Sequence, residues 1–94
     1  MDLRYTILYD YYGELLTDKQ KLYFEDYYFN NLSLKEISVN YDVTRSAIYN
    51  ILKESLKKLD YYEDKLNLFE KSKKIEKLIQ ELDLDKQNKI KELI

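Results

Sequence analysis

Apolar residues recur along this chain at intervals of three and four, the spacing that lays a stripe along one side of an α-helix. Leu3, Ile7, Tyr11 and Leu15 fall four apart, with Leu8 and Tyr12 widening the stripe, and predict a first helix over residues 3–15. Gly13 near its end fits termination. Thr17-Asp18-Lys19-Gln20 has the T-x-x-Q form of a capping box, with an acid in the first turn to suit the helix dipole. A second helix then runs to about Asn30, with Phe24, Tyr27, Tyr28 and the following Leu32 on its buried side and Tyr23 beside them. Asn30-Asn31 ends it without glycine, because asparagine tolerates turn and left-handed backbone.

The next stretch, residues 33–58, carries the most specific pattern. Ser33 and Glu36 form a second capping box, and Thr44 caps another helix without a partner acid or amide three residues on. Asn40-Tyr41-Asp42-Val43 lies between them, too short for a strand and suited to the turn of a helix-turn-helix. Ile37, Tyr41, Val43, Ile48 and Ile51 provide the packing positions, and Ser38 is small where the helices come closest. Arg45, Ser46, Ala47, Tyr49, Asn50 and Lys53 then face outward, on the side that enters the major groove in DNA-binding members of this motif.

Beyond the motif, Leu52, Leu59 and Leu66 are seven apart, with Ser55, Tyr62 and Phe69 three residues after each. That seam is shorter than a coiled coil requires. A kink or break is expected near residues 59–63, and Ser72 is read as the cap of a further helix carrying Ile75, Leu78, Ile79 and Leu82. Asp83 or Asp85 caps a last short helix with Ile90, Leu93 and Ile94. These narrow stripes need a covering surface, and a symmetric homodimer through the C-terminal helices is the expected one. The division expected is a helical bundle over 1–71, with its helix-turn-helix at about 33–58, and a C-terminal helical extension over 72–94.

Composition agrees with an all-α fold. The 94 residues make one domain, with no proline and a single glycine, and the eleven tyrosines recur at helical intervals. There is no cysteine and no histidine, so disulfides and the commonest metal ligands are absent from the sequence; no cofactor is expected. No export signal and no membrane span are read, and the expected location is cytoplasmic. Five serines lack a histidine to activate them, and no glycine-rich phosphate loop is present, so no enzyme is expected. Carboxylate pairs such as Glu63-Asp64 are assigned to charged, solvated faces. Net charge is −2, but residues 1–43 hold four basic and eight acidic residues whereas residues 44–94 hold twelve and ten. Lysines cluster at 53–58 and again at 71–77.

Leu16 to Gln20, Tyr27-Tyr28, Leu32 to Ser38 and Val43 to Ile48 together resemble the region-4 helix-turn-helix of bacterial sigma factors. With the continuation from Leu59 to Lys71, residues 3–72 more fully resemble the small YlxM-like family of bacterial helix-turn-helix proteins. That resemblance implies a cytosolic, all-helical protein, a sigma region-4-like bundle with additional C-terminal helices, connected with the signal recognition particle pathway of protein targeting. By analogy with the sigma domain, Thr44, Arg45, Ser46 and Asn50 are contact residues. The chain departs from sigma factors at Ala47 and Tyr49, where arginines commonly sit, and so lacks two cations that would neutralise phosphates.

Two functions follow from these residues. As a nucleic-acid-binding regulator, the chain would read base edges with Arg45 and Asn50, and meet phosphates or sugars with Thr44, Tyr49, Lys53, Lys57 and Lys58. Its ligand would be DNA or the RNA of the signal recognition particle. As a protein-interaction module, it would instead present Tyr49 to the targeting GTPase, since aromatic side chains anchor interfaces.

Overall fold

The structure, a computed structural model, describes residues 3–94. Its helices are α1 (Leu3–Tyr12), α2 (Asp18–Tyr28), α3 (Leu34–Tyr41), α4 (Arg45–Leu66), α5 (Leu68–Ile79) and α6 (Leu84–Lys91), with a 3-10 turn at Gly13–Leu15 after α1. No described residue is in a strand, and the all-α helix-turn-helix architecture expected from the pattern is the one observed. Both capping boxes form: Thr17 Oγ accepts from the Gln20 amide at 3.2 Å, and Ser33 Oγ from the Glu36 amide at 3.0 Å. In return, Gln20 and Glu36 side chains accept from the amides of Thr17 and Ser33. Asp83, rather than Asp85, caps α6, accepting from the Lys86 amide at 2.9 Å.

The 22-residue α4 is the spine, and α1, α2 and α3 pack along it. Leu8, Tyr12, Leu16, Tyr23, Phe24, Ile37, Ile48, Leu52 and Leu59 form one buried core. Each large aliphatic side chain withdrawn from water there contributes about 1.5–3 kcal/mol. The stripe of α1 differs from the expected one. Leu8 and Tyr12 are the buried positions, while Leu3, Tyr11 and Leu15 are exposed, so the helix is rotated relative to the four-spaced reading. Tyr27 also leaves the expected core and lies on the surface, and Tyr41 sits at the rim with its ring edge against Tyr23. Gly13 is favoured by packing rather than by backbone twist: a Cβ there would lie 3.0 Å from the Tyr9 ring, which is itself stacked on Phe24 at 4.4 Å and would have to shift.

No break occurs at residues 59–63. α4 runs through them and stops at Asn67, whose left-handed backbone (φ 54°) turns the chain directly into α5. The seven-residue seam holds at Leu52, Ser55 and Leu59 but not at Leu66, which is exposed. Ser72 does not start a helix. It lies inside α5 and receives the Tyr11 hydroxyl proton at 2.8 Å, tying α5 to α1.

Glu63 overturns the expectation of a solvated carboxylate. It is only 4% exposed, and it accepts from the Tyr12 hydroxyl at 2.6 Å and from the amides of Phe69 and Glu70 at 3.0 and 3.1 Å. It thereby supplies the N-terminal capping that Asn67 does not give to α5. Burial acts to raise the Glu63 value, but the Tyr12 hydrogen bond, the two amides and the charge of Arg4 outweigh it and hold the carboxyl below its usual range. The molecule measures 54 × 25 × 20 Å, with α5 and α6 extending away from the core.

Candidate nucleic-acid interface

The turn of the motif is built from Asp42 to Thr44. Asp42 takes left-handed backbone (φ 54°), which ends α3, and the Val43 amide donates back to the Ser38 carbonyl at 3.1 Å. Thr44 Oγ1 then accepts from the Ala47 amide at 3.0 Å and starts α4. Two helices therefore meet at a fixed corner, and residues 33–58 are not one rod. Ile37 and Ile48, both fully buried, pin the corner from inside, with Val43 and Ile51 packed against them.

The corner is braced from α2 by a residue that the hydrophobic pattern does not reveal. Asp26 is buried and accepts from the Asn30 side-chain amide at 3.0 Å and from the Tyr41 hydroxyl at 2.9 Å, while its carbonyl receives the Leu32 amide. The hydrogen bond to Asp26, with burial adding to it, raises the Tyr41 phenol above its ordinary value. The only sequence signal for this brace is Asn30, four residues after Asp26 on the same helical face.

Thr44, Arg45, Ser46, Tyr49, Asn50 and Lys53 are all exposed on the first turns of α4, and Ala47 is half-buried among them. Ser46, Asn50, Lys53 and Lys57 share the outermost side of the helix at helical spacing, opposite Ile48, Leu52 and Leu59. α4 has no acidic residue in its first turn. The expected residues do not form a single strip, however. Lys57 also lines a hollow with Arg4, Asp60, Tyr61, Asp64 and Glu70, in which Asp60 pairs with Arg4. Lys58 is half-buried and donates to Gln20 Oε1 at 3.2 Å, tying α4 to α2. The Lys71–Lys77 cluster is likewise partly engaged: Lys73 pairs with Glu70 at 2.8 Å and lies over the Phe69 ring.

The start of α4, from Arg45 to Lys53, has an exposed face that carries Arg45 and Lys53 at its two ends. Beside it, between α2, α3 and α4, runs a groove lined by Tyr27, Tyr28, Leu34, Tyr49, Lys53 and Leu56. Such a face presents guanidinium, carboxamide, hydroxyl and ammonium groups on a rigid helix, the chemistry that meets phosphates and base edges. Among the described residues no group of three or more His, Cys, Asp or Glu could hold a metal ion, and no helix is long and apolar enough to cross a membrane.

Comparison with known proteins gives consistent results. The sequence model of the UPF0122 family, described as "Putative helix-turn-helix protein, YlxM / p13 like", matches residues 1–94. A UPF0122 protein of Caldanaerobacter subterraneus subsp. tengcongensis is 47% identical over 77 residues, which cover 82% of this chain and 66% of that protein. One from a Thermoanaerobacter species is 47% identical over 70 residues, 74% of this chain and 60% of the relative. One from Listeria welshimeri is 42% identical over 93 residues, 97% of this chain and 84% of the relative. The matched stretch thus spans about two thirds or less of the first two relatives and most of the third.

Proposed function

The chain belongs to the UPF0122 family of helix-turn-helix proteins, and from that premise we propose that it is a nucleic-acid-binding regulatory protein acting through the N-terminal half of α4. The observation that carries this reading is the exposed set Thr44, Arg45, Ser46, Tyr49, Asn50 and Lys53, raised on a corner that buried Ile37 and Ile48 hold rigid. Arg45 and Asn50 read base edges, guanine and adenine being their best partners. Thr44, Ser46, Tyr49 and Lys53 contact phosphates and sugars, with Lys57 at the margin. The acting unit is the bundle of residues 1–71, and the extension 72–94 serves self-association into a homodimer. The resemblance to YlxM-like proteins supports a role in the signal recognition particle pathway, with DNA or the particle's RNA as ligand. No catalytic step is assigned to the chain.

A second reading is favoured by the hollow around Lys57. Its four carboxylates, Asp60, Glu63, Asp64 and Glu70, outnumber its two cations, Arg4 and Lys57, and suit a basic protein surface, such as one on the targeting GTPase. Fluorescence anisotropy at two salt concentrations separates the readings. Nucleic-acid binding should weaken steeply with salt, and Arg45→Ala should reduce affinity about ten-fold or more, as expected from the ~1–3 kcal/mol of a good base contact. Absence of binding to DNA and RNA at low salt, with retention on the GTPase, would overturn the first reading in favour of the second.

A further inference from the structure

We propose that the groove beside α4 is a stacking slot for one unpaired base of an RNA loop or bulge. This rests on the nucleic-acid reading above and names the class of ligand. The groove encloses about 170 Å³, below the several hundred typical of drug-sized pockets, so it accommodates one flat ring rather than a bulky ligand. Tyr49, 55% exposed, stands on the α4 side and Tyr27, 39% exposed, on the α2 side, while Leu34 and Leu56 contribute apolar surface.

The aromatic wall is preorganised. Tyr9 stacks on Phe24 at 4.4 Å and Phe24 on Tyr28 at 4.5 Å, and Tyr27 meets Tyr28 edge-on at 5.1 Å. Tyr27 and Tyr28 are therefore carried by a column of rings that starts in the core, and a base entering the slot need order little protein. Charge points the same way. Lys53 is the sole ionic group lining the groove, and no described lining residue is acidic, although acids outnumber bases over the chain, 18 to 16. One ammonium beside exposed aromatic faces complements a base with its own phosphate. Tyr27 and Tyr28 also line a second hollow with Asn31, Leu32 and Ser33, where the Asn31 carboxamide is available to a sugar hydroxyl. RNA is the nucleic acid that regularly presents unstacked bases next to a duplex. In this arrangement Arg45 and Asn50 lie on the paired stem, while Tyr49 and Lys53 receive the extruded base.

The test uses the full chain and an RNA hairpin with 2-aminopurine in its loop, beside a fully paired RNA of equal length and a hairpin with a deoxyribose loop. The loop fluorophore should be quenched on binding, and the loop RNA preferred over the paired one. Tyr27→Ala and Tyr49→Ala should each reduce loop binding about ten-fold, from the usual worth of one base–aromatic stack, and Tyr27→Phe and Tyr49→Phe should retain it. Lys53→Gln should weaken binding and lower its salt dependence. Circular dichroism and the thermal midpoint of each variant establish that the fold is kept. Equal binding of loop and paired RNA, lowered only by Arg45→Ala, overturns the slot and leaves the nucleic-acid reading standing. A deoxyribose loop bound as tightly overturns the assignment to RNA. Loss of a protein partner, but not of RNA, in the tyrosine variants makes the groove a protein site and overturns the proposal. Failure to bind any nucleic acid removes both readings.

Discussion

Glu63 sits where three hydrogen-bond donors converge, and its titration is therefore linked to folding. The folded carboxyl is held below its ordinary value of 4.5 by the Tyr12 hydroxyl, the Phe69 and Glu70 amides and the nearby Arg4, which together exceed the opposing effect of burial. A carboxyl depressed in the folded state contributes stability that is complete above its unfolded value, and that stability is lost as pH falls through the folded one. The thermal midpoint should accordingly decline below about pH 4.5. Glu63→Gln should flatten that decline and cost about 2–3 kcal/mol near neutrality, since charge-assisted bonds to three donors are weakened. Urea unfolding of the two proteins at several pH values measures both effects. The same geometry acts on Tyr12 in the other direction: burial and the bond to Glu63 raise its phenol, so it keeps its proton, and its role as donor, to higher pH than an ordinary tyrosine.

At the scale of elements, the motif depends on how α3 ends and α4 begins. Asp42 occupies left-handed backbone, which costs a side-chain-bearing residue about 1 kcal/mol relative to glycine. Asp42→Gly should therefore be neutral or slightly stabilising, whereas Asp42→Val should be clearly destabilising. Thr44→Ala removes the cap on α4 and should cost about 1 kcal/mol; chemical denaturation of the three variants checks the order. Caps of this kind are local, and that is why Thr17, Ser33 and Thr44 could be read from the sequence and the last cap narrowed to Asp83 or Asp85, whereas Ser72, read as a cap, lies inside α5. The two-helix corner was legible for the same reason, because Ile37, Val43, Ile48 and Ile51 interact over a short span. The rotation of α1 was not, since Leu3, Ile7, Tyr11 and Leu15 make as regular a stripe as Leu8 and Tyr12, and only packing on α4 chooses between them. Nor were Glu63 and Asp26, whose partners Tyr12 and Tyr41 lie 51 and 15 residues away. For the candidate interface, the exposed positions from Thr44 to Lys53 could be anticipated from helix phase, while the bond of Lys58 to Gln20 and the approach of Arg4 and Glu70 to the hollow beside Lys57 depend on how α2, α1 and α5 meet α4.

The molecule as a whole is long for its size, and its far end is apolar on the outside. Leu78, Leu84, Leu93 and Ile94 are each at least 65% exposed, while Ile79 alone of the described residues in α5 and α6 is buried. In the proposed homodimer these side chains meet their counterparts. Sedimentation of the intact chain should then report a dimer, and Leu78→Glu should shift it to monomer without loss of helix content; a monomeric parent protein would refute the association. The direction in which that surface points is set by the junction at Asn67. A single residue serves as both the end of α4 and the start of α5, and the carboxylate one turn back clasps the first amides of the new helix. Such a joint has no slack. Inserting one residue in the last turn of α4 would carry the joint about 100° around the α4 axis and pull the first α5 amides off their acceptor, so the length of this coupling, more than its chemistry, indexes where the distal end faces relative to the reading head.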